Sequence, residues 1–515
     1  PRRIEAGVVY VLNEAVESGG NAYLTEKELT DKATEILGVG DVDAALLALS
    51  TSGRLVSEPA TFLGQIEVAI YTPSLHKTEI GLADRIKKLL ATPLKQPPDA
   101  LKFEAWLSAL CEKNGFPLSE EQRAGVSTAL LSRFSILTGG PGTGKTTSTK
   151  AIEALKRDVL LASPTGRAAK RMTEVTGREA KTVHRLLEFD PEKRGFKRDL
   201  ETPLECDVLI VDESSMLDMV LTYSLLKAVP EGAQVVFVGD VDQLPSVGPG
   251  NVLRDLIESG SVPVARLTQV FRQAAESLII TNAHAINAGR MPSLPPPSAG
   301  RDCAYLNAEE AEEVADKVVA VVAKSLPKRG FAPQDIQVLT PMQRGSAGAV
   351  YLNMRLQEAL NPAAPGKDEV QRGARLFRVG DRVMQIVNNY DKLVYNGDIG
   401  AVESISHEDE TLTIAFPDAQ GINLVVYEFA DMDELVMANA VSVHKSQGSE
   451  YPAVVLALHT QHYMLLQRNL LYTALTRAKK FAVLIGPMRA IAMAVKKQSD
   501  IHRHTRLKER LQGIL

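Results

Sequence analysis

One short segment limits the fold of this chain more than any other feature. Gly139 to Thr146 reads GGPGTGKT; it follows the apolar stretch Ser135-Ile136-Leu137 and precedes a helical pattern. Strand, glycine-rich loop and helix in this order are typical of a phosphate-binding loop (P-loop), where backbone N–H groups and the helix N-terminus face an anion. The segment therefore predicts a parallel α/β sheet with a phosphate site at the carboxyl end of a strand.

Residue types in the loop predict how it holds its ligand. Lys145 is expected to reach the β and γ phosphates of ATP, and the Thr146 hydroxyl to ligate Mg²⁺. ATP and Mg²⁺ are therefore the expected cofactors. The other predicted nucleotide-binding residues of the loop are Gly140, Pro141, Gly142, Thr143, Gly144 and Thr147.

A pair of carboxylates supplies the metal-binding acid that a P-loop requires. Asp212 and Glu213 follow the apolar run Val208 to Val211. Asp212 is predicted to hold Mg²⁺ through the coordination shell of the ion, and Glu213 is predicted to polarise the attacking water. Acidic residues after a strand are often only helix caps, so the P-loop in the same chain is what favours the catalytic interpretation.

The chain of 515 residues is too long for one hydrophobic core and suggests roughly three to four structural units. Residues 1–110 show short amphipathic helical patterns, while strands alternate with helices over 111–290. A second alternating unit is predicted over 291–374 and 430–515. Short β-type runs predict an inserted barrel at 375–429. Residues 188–203 fit a small inserted hairpin or, equally, a solvated surface loop.

Composition restricts the partners and the compartment. The net charge of -5 gives no overall attraction to nucleic acid, so a phosphate track must be a local groove. Cys111, Cys206 and Cys303 lie far apart and provide neither a disulfide framework nor zinc-site spacing. With no bilayer-length apolar run and no signal-peptide pattern, we expect a cytoplasmic protein without membrane association.

Several further motifs follow in a fixed order. They are SPTGRAA at Ser163–Ala169, TVHRL at Thr182–Leu186, GDVDQLPSVG at Gly239–Gly248, LTQVFR at Leu267–Arg272, VHKSQGSE at Val443–Glu450 and YTALTRA at Tyr472–Ala478. With the two nucleotide motifs they resemble superfamily 1 helicases over about residues 117–485, closest to RecD, the exonuclease V alpha subunit, and its stand-alone relatives. The resemblance implies two RecA-like P-loop NTPase domains, a helical N-terminal domain, a β-hairpin insertion and an SH3-like β-barrel insertion.

This resemblance also implies roles for single residues. Gln122 is similar to the adenine-reading glutamine, because an amide both donates to and accepts from the purine edge, although a helix cap is the alternative. Gln243 resembles the γ-phosphate sensor and Glu450 the ribose contact. Arg272 and Arg477 resemble the two arginine fingers that stabilise negative charge on the γ-phosphoryl group.

Strand contacts are implied at Pro164, Thr165, His184 and His444, which fall in loops expected at the carboxyl ends of strands. A lone histidine is more often a packed or capping residue, so these assignments depend on the motifs. The family implies single-stranded DNA and duplex junctions as partners, movement 5′ to 3′, and a strand-separating role for the hairpin. Protein partners in repair or recombination are not specified.

Three alternatives remain open at this point. One is an RNA helicase, since a phosphate track does not exclude the 2′-hydroxyl. Another is a nucleotide-gated switch, although the paired arginines and Gln243 speak against it. A relaxase-helicase would need a paired-histidine metal site; the close pair His502 and His504 lies in a basic terminal stretch that we interpret as a solvated helix. No nuclease carboxylate cluster is evident.

Overall fold

The computed structural model describes most of the chain. The described residues are 2–38, 42–62, 65–94, 100–114, 118–154, 158–190, 192–193, 195–270, 276–389, 391–418, 421–498 and 503–514. They form an N-terminal unit, two parallel α/β units and a small antiparallel barrel. Within these ranges every helix is too short or too polar to cross a bilayer.

The N-terminal unit combines helices with a small sheet. Strand β3 pairs antiparallel with both β1 and β2, an arrangement that the helical prediction for residues 1–110 omitted. The strands escaped notice because Ile66 and Val68 are apolar but solvent-exposed, so the alternation of an inward and an outward face is not visible. The elements are α1 (Arg2–Gly19), β1 (Leu24–Thr25), α2 (Glu26–Leu37), α3 (Asp43–Thr51), β2 (Val56–Phe62), β3 (Gln65–Tyr71), α4 (Pro73–Ala91) and α5 (Ala100–Asn114).

The first α/β unit is a six-stranded sheet in the order β11-β4-β10-β9-β5-β6, with parallel pairing throughout. Strands β9 and β10 are buried along their whole length, as continuous apolar runs in a parallel sheet predict. The elements are α6 (Glu120–Leu131), β4 (Phe134–Gly139), α7 (Lys145–Glu153), β5 (Val159–Ser163), α8 (Gly166–Thr176), β6 (Ala180–Thr182), α9 (Val183–Leu186), β7 (Phe189–Asp190), β8 (Gly195–Phe196), β9 (Val208–Val211), α10 (Met219–Ala228), β10 (Gln234–Gly239), α11 (Val252–Ser259) and β11 (Val264–Leu267).

The predicted hairpin insertion is present. Strands β7 and β8 pair antiparallel, with Phe189 opposite Phe196. The two phenyl rings lie 5.3 Å apart, and the imidazole of His184 lies 5.6–5.8 Å from both. This aromatic cluster fixes the base of the hairpin to helix α9, so the hairpin stands on the same loop region that carries a predicted strand contact.

The second α/β unit is a five-stranded parallel sheet in the order β12-β23-β22-β13-β21. Helix α12 lies in the range predicted for the first unit, yet Ile279, Ala283 and Ile286 pack with Leu470 and Leu471 of the second. An amphipathic pattern shows that a helix covers a sheet but not which sheet. The elements are α12 (Leu278–Asn287), β12 (Cys303–Leu306), α13 (Ala311–Ala320), β13 (Ile336–Thr340), α14 (Ala349–Leu360), β21 (Ala440–Ser442), β22 (Tyr451–Ala457), α15 (Arg468–Leu475), β23 (Ala478–Ile485), α16 (Met488–Lys496) and α17 (Leu507–Gln512).

Between β13 and β21 the chain forms the predicted small barrel, whose main sheet has the antiparallel order β19-β18-β17-β16-β20. Its core reaches from Val370 to Leu435, beyond the predicted range of 375–429. The elements are β14 (Glu369–Arg372), β15 (Arg375–Arg378), β16 (Arg382–Gln385), β17 (Ile399–Ser406), β18 (Thr411–Asp418), β19 (Gly421–Glu428) and β20 (Leu435–Met437).

A solvated helix was predicted around His502 and His504; His502 lies outside the described residues, and the segment Arg503–Gln512 is not a solvated helix. Its first four residues are not helical, and α17 packs against both α4 and α11. His504, Arg506 and Arg510 are all less than 9% exposed. The prediction was wrong because acidic partners on the N-terminal unit, Glu28, Glu58 and Glu79, neutralise these charges where they are buried.

Candidate active site

A cleft of about 940 Å³ separates the two α/β units. Most of the predicted nucleotide residues line it: Gln122, Gly140, Pro141, Gly142, Gly144, Lys145, Thr146, Thr147, Asp212, Glu213, Gln243, Glu450 and Arg477. The first eleven belong to the first unit, and Glu450 and Arg477 to the second. Residues predicted from separate motifs therefore meet in one place that is large enough for a nucleotide.

The P-loop connects β4 to the start of α7. Gly142 and Gly144 adopt φ angles of 74° and 85°, a left-handed conformation that favours glycine. The Lys145 ammonium donates to the carbonyl oxygens of Gly139 and Gly140, at 2.6 and 3.0 Å. Thr143 does not line the cleft, because its side chain is buried and its hydroxyl donates to the Gly140 carbonyl at 2.8 Å. Its side chain thus closes the loop internally.

The two carboxylates follow β9 directly. The Glu213 backbone N–H donates to Asp212 Oδ1 at 2.8 Å, and Glu213 has a φ of 53°, a strained conformation for a residue with a side chain. Burial and the adjacent Glu213 charge raise the pKa of Asp212 to about 6. A cation beside this pair would relieve both effects, and the Asp212 carboxylate and Thr146 hydroxyl are the hard oxygen donors that Mg²⁺ prefers. These residues therefore fit the implied metal.

Arg477 brings the second unit into contact with the catalytic groups of the first. The arginine is only 2% exposed, and its guanidinium donates to Gln243 Oε1 at 2.9 Å and to the Ser449 carbonyl at 3.1 Å. Its Nη1 lies 3.9 Å from Glu213 Oε1. Gln243 in turn donates to Asp240 Oδ2 at 3.2 Å. The other predicted finger, Arg272, lies outside the described residues.

Gln122, which also lines the cleft, has two sets of contacts. It completes a capping box with Ser119 at the start of α6, which is the helix-cap alternative, and its amide also donates to the Gly144 carbonyl at 3.2 Å. Nearby, the face of α8 adds Met172 and Val175 to the cleft lining. This apolar surface suits a purine ring, and motif spacing did not indicate it because Met172 and Val175 lie in α8 beyond the quoted SPTGRAA segment.

Further residues that the sequence reasoning missed surround Glu450 and Asp240. Arg171 of α8 forms an ion pair with Glu450 across the cleft, and Lys479 approaches the same carboxylate at 3.5 Å. The Tyr472 hydroxyl donates to Asp240 Oδ2 at 2.7 Å, and burial raises the pKa of Asp240. Asp240 and Tyr472 stand inside quoted motifs, so their position was visible while their pairing was not.

The predicted strand contacts lie on both units. Thr165 caps α8 by accepting from the Ala168 N–H, and a Cβ at Gly448 of the second unit would lie 2.5 Å from its hydroxyl oxygen. Pro164 immediately precedes this cap. His184 packs on the hairpin, and partial burial lowers its pKa, so its ring is neutral at pH 7. His444 begins a short 3-10 helix of the second unit. These four assignments stay predictions.

Three separate parts of the chain match known protein families. Residues 122–249 match the AAA domain family, residues 352–416 the SH3 domain of ATP-dependent RecD-like DNA helicases, and residues 437–485 the UvrD-like helicase C-terminal domain. The ATP-dependent RecD2 DNA helicase of Deinococcus radiodurans is 38% identical over 100% of this chain and 69% of its own length. The chain belongs to the RecD-like family of superfamily 1 DNA helicases. The predicted family and fold class are therefore confirmed.

Other RecD-like relatives extend the match. The RecD subunit of the RecBCD enzyme of Mycolicibacterium smegmatis is 30% identical over 92% of this chain and 87% of its own length.

Among solved structures, Candida albicans Pif1 helicase covers 78% of this chain at 20% identity and a TM-score of 0.47, with 99% of its own chain matched. Bacteroides Pif1 bound to single-stranded DNA covers 72% of this chain and 92% of its own at 20% identity, with a TM-score of 0.44.

Proposed function

We propose that this chain is an ATP-dependent DNA helicase that moves 5′ to 3′ along single-stranded DNA and separates the duplex ahead. One observation carries the proposal: Arg477 of the second unit contacts Gln243 and faces Glu213 of the first, beside the P-loop. An ATP site built from both units is complete only when they are close together, so turnover and relative motion of the units are linked. The family supplies the DNA substrate and the polarity.

The chain's own residues divide the work of hydrolysis. Lys145 holds the β and γ phosphates, Glu213 orients and polarises the attacking water, and Gln243 contacts the γ-phosphate. Arg477 stabilises the negative charge that develops on the γ-phosphoryl oxygens, and Arg272 is the second finger. Thr146 and Asp212 would hold Mg²⁺, which would offset the negative charge of the phosphates.

Recognition of the nucleoside involves the opposite end of the cleft. Gln122 reads the adenine edge, with Met172 and Val175 covering a face of the purine, and Glu450 contacts the ribose. Arg171 and Lys479 hold the Glu450 carboxylate at this position. The remaining P-loop residues, including Thr143 through its backbone, surround the phosphates.

The DNA strand is proposed to cross both units at the loops that carry Pro164, Thr165, His184 and His444. The inserted barrel reaches this region, because a Cβ at Gly166 would lie 3.2 Å from Tyr395 Cβ and the Lys170 ammonium donates to the Pro417 carbonyl. The hairpin stands beside His184 and would split the duplex. Grip alternates between the units as the cleft closes on ATP and reopens after hydrolysis.

Single-stranded DNA and duplex junctions are the proposed partners, and the cytoplasm is the proposed compartment. The free thiols of Cys111, Cys206 and Cys303 fit a reducing compartment. Burial raises the pKa of Cys206 to about 12 and of Cys303 to about 11, so both thiols are protonated and unreactive.

The test is ATP hydrolysis with DNA and RNA oligomers of matched sequence. We expect single-stranded DNA to raise the rate at least about tenfold over the polymer-free rate, and Lys145→Ala to abolish hydrolysis while DNA binding, measured by fluorescence anisotropy, is retained. Stimulation by RNA alone would point to an RNA helicase. A slow rate that neither polymer changes would point to a nucleotide-gated switch, and full hydrolysis by Lys145→Ala would overturn the assigned site.

A further inference from the structure

Arg503 makes an unusual set of contacts with one loop of the first unit. Its Nη1 donates to the Ser246 hydroxyl at 3.2 Å and to the carbonyls of Gly248 and Gly250 at 2.9 and 2.8 Å, and its Nη2 donates to the Ser246 carbonyl at 2.5 Å. Burial lowers the pKa of Arg503 to about 10, so it stays charged at neutral pH. The planar guanidinium thus binds three carbonyl oxygens that converge on one point.

That loop, Ser246–Gly250, begins three residues after Gln243. Its other side rests on the start of α10: the Met219 N–H donates to the Pro249 carbonyl at 2.9 Å, and a Cβ at Gly248 would lie 2.3 Å from Asp218 Oδ2. The loop therefore joins the proposed γ-phosphate sensor, Gln243, to the start of α10, where Asp218 is the helix cap.

Both predicted strand-contacting histidines lie within electrostatic reach of this junction. Partial burial lowers the pKa of His184 while the Asp218 charge opposes that shift. Partial enclosure and then the Arg503 charge lower the pKa of His444. The junction of Arg503, Asp218 and the Ser246–Gly250 loop is therefore electrostatically coupled to one strand-contact candidate on each unit.

The loop is also held by the N-terminal unit. The Gly250 N–H donates to the Gly20 carbonyl at 2.9 Å, and the Ala22 N–H donates to the His504 carbonyl at 2.7 Å. His504 pairs with Glu28 at 2.9 Å. The segment Arg503–Gln512, which we name the strap, thus fastens the N-terminal unit and the Ser246–Gly250 loop together.

We propose that Arg503 is a positioning residue that holds the Ser246–Gly250 loop in register between the ATP cleft and the strand-binding face, so that DNA binding is transmitted to ATP hydrolysis. The proposal rests on the proposed helicase function and adds a role for the N-terminal unit, which anchors the strap. Without the guanidinium, the three carbonyls lose a charged donor and a loop with two glycines loses its fixed shape.

The strap offers a matched control. Arg506 is 5% exposed and donates to the Pro59 carbonyl and to Glu58, both in the N-terminal unit, at a distance of 3.0 Å for Glu58. Arg506→Ala therefore removes a buried arginine from the same strap without touching the Ser246–Gly250 loop. A loss of stability alone would affect Arg503→Ala and Arg506→Ala alike.

The experiment measures, in the full chain, the ratio of the ATP hydrolysis rate with saturating single-stranded DNA to the DNA-free rate, together with the KM for DNA and Tm. We expect Arg503→Ala to lower the ratio about tenfold and to raise the KM for DNA, while Arg506→Ala keeps the ratio within about twofold of wild type. Arg503→Lys keeps the charge but not the planar fork, so we expect it to lie between wild type and Arg503→Ala.

The outcomes separate the two claims. Equal ratios for Arg503→Ala and Arg506→Ala would overturn the positioning role while leaving the helicase intact. A wild-type rate that DNA does not change would overturn the proposed function itself. If Arg503→Ala fails to fold, Arg503→Lys decides: a wild-type ratio in that variant contradicts the proposal, and a reduced ratio at unchanged Tm supports it.

Discussion

The guanidinium of Arg477 contacts both α/β units. It donates to Gln243 in the first unit and to the Ser449 and Thr473 carbonyls in the second, and it faces Glu213 at 3.9 Å. Such contacts hold the group in place before the reaction begins, so its charge needs little reorganisation as the γ-phosphoryl group separates. We therefore propose that Arg477 acts in catalysis more than in ATP binding.

We expect Arg477→Ala to lower kcat for DNA-stimulated ATP hydrolysis by about 10³-fold or more, with a change in the KM for ATP of less than about fivefold, because the finger acts mainly in the transition state. Steady-state kinetics at saturating DNA measure both values. The control variant is Arg468→Ala, because Arg468 lies on α15 and donates to the Val495 carbonyl of its own unit. A large rise in KM at constant kcat for Arg477→Ala would contradict the assigned role.

The protonation state of the buried Asp255 carboxyl group follows from its hydrogen bonds. The Thr505 hydroxyl lies 3.1 Å from Glu79 Oε1 and 3.0 Å from Asp255 Oδ2. One hydroxyl has one proton to donate, so the second carboxyl must itself carry a proton. Burial, together with nearby Glu79, Glu509 and Glu258, raises the pKa of Asp255 well above its ordinary value, which identifies Asp255 as the protonated partner.

The difference in Tm between Asp255→Asn and the wild type is expected to shift in favour of the variant as the pH increases from about 5 to about 8. The folded chain keeps a proton on Asp255 that the unfolded chain releases, so the free energy of unfolding of the wild type falls as pH rises through this window. Asparagine has no such proton and can still donate to Thr505. Calorimetric scans at both pH values test this, with exposed Asp31→Asn as control; identical pH dependence in wild type and Asp255→Asn would contradict it.

At the scale of elements, the hairpin β7–β8 and helix α9 act as one piece. His184, Phe189 and Phe196 share an aromatic cluster, and Arg198 pairs with Glu188 at 2.7 Å. A short two-stranded hairpin is marginal on its own, so this anchoring is what gives it a fixed direction. A rigid projection beside the strand path is what a duplex-splitting pin requires.

Deletion of residues 193–199 is therefore expected to reduce unwinding of a tailed duplex at least about tenfold, while DNA-stimulated ATP hydrolysis stays within about threefold of wild type. In the proposed mechanism, movement along the strand uses the two α/β units, and only separation of the duplex uses the hairpin. Unwinding and hydrolysis assays on the same preparation measure both. Unchanged unwinding by a folded deletion variant would contradict the strand-separating role of the hairpin.

Elements also show where sequence reasoning succeeds. The P-loop and the Asp212-Glu213 pair were predictable because each requires certain residue types within one short segment at a strand end. The sheet β1–β3 was not, since its exposed apolar residue Ile66 hides the alternation. The contribution of α8 to the cleft was missed for another reason: Arg171 meets Glu450 only after folding, at a sequence separation that no local pattern reports.

At the scale of the whole molecule, the strap connects the N-terminal unit with the first α/β unit. The strap packs on α4 and α11, and Arg510 pairs with Glu58 and Glu79 of the N-terminal unit at 2.6 and 3.0 Å. Charge alone predicted a solvated helix here. The error has a general cause, since a run of arginines does not reveal whether buried carboxylates elsewhere in the chain will pair with it.

The segment Asp240–Leu244 links the two α/β units. Asp240 accepts from Tyr472, and the Leu244 N–H and carbonyl bond to Thr473 and Gln447 at 2.9 Å each. Opening of the cleft must change these contacts, and closing must restore them. This is the physical basis for a motor whose ATP state and domain arrangement are coupled.

The most direct test of this account is strand separation with ATP and Mg²⁺ on two matched duplexes, one with a 5′ single-stranded tail and one with a 3′ tail. The account predicts unwinding of the 5′-tailed duplex, no unwinding of the 3′-tailed duplex, and no unwinding of either by Lys145→Ala. Unwinding from the 3′ tail alone would contradict the polarity, and ATP hydrolysis without unwinding of either duplex would contradict the helicase assignment.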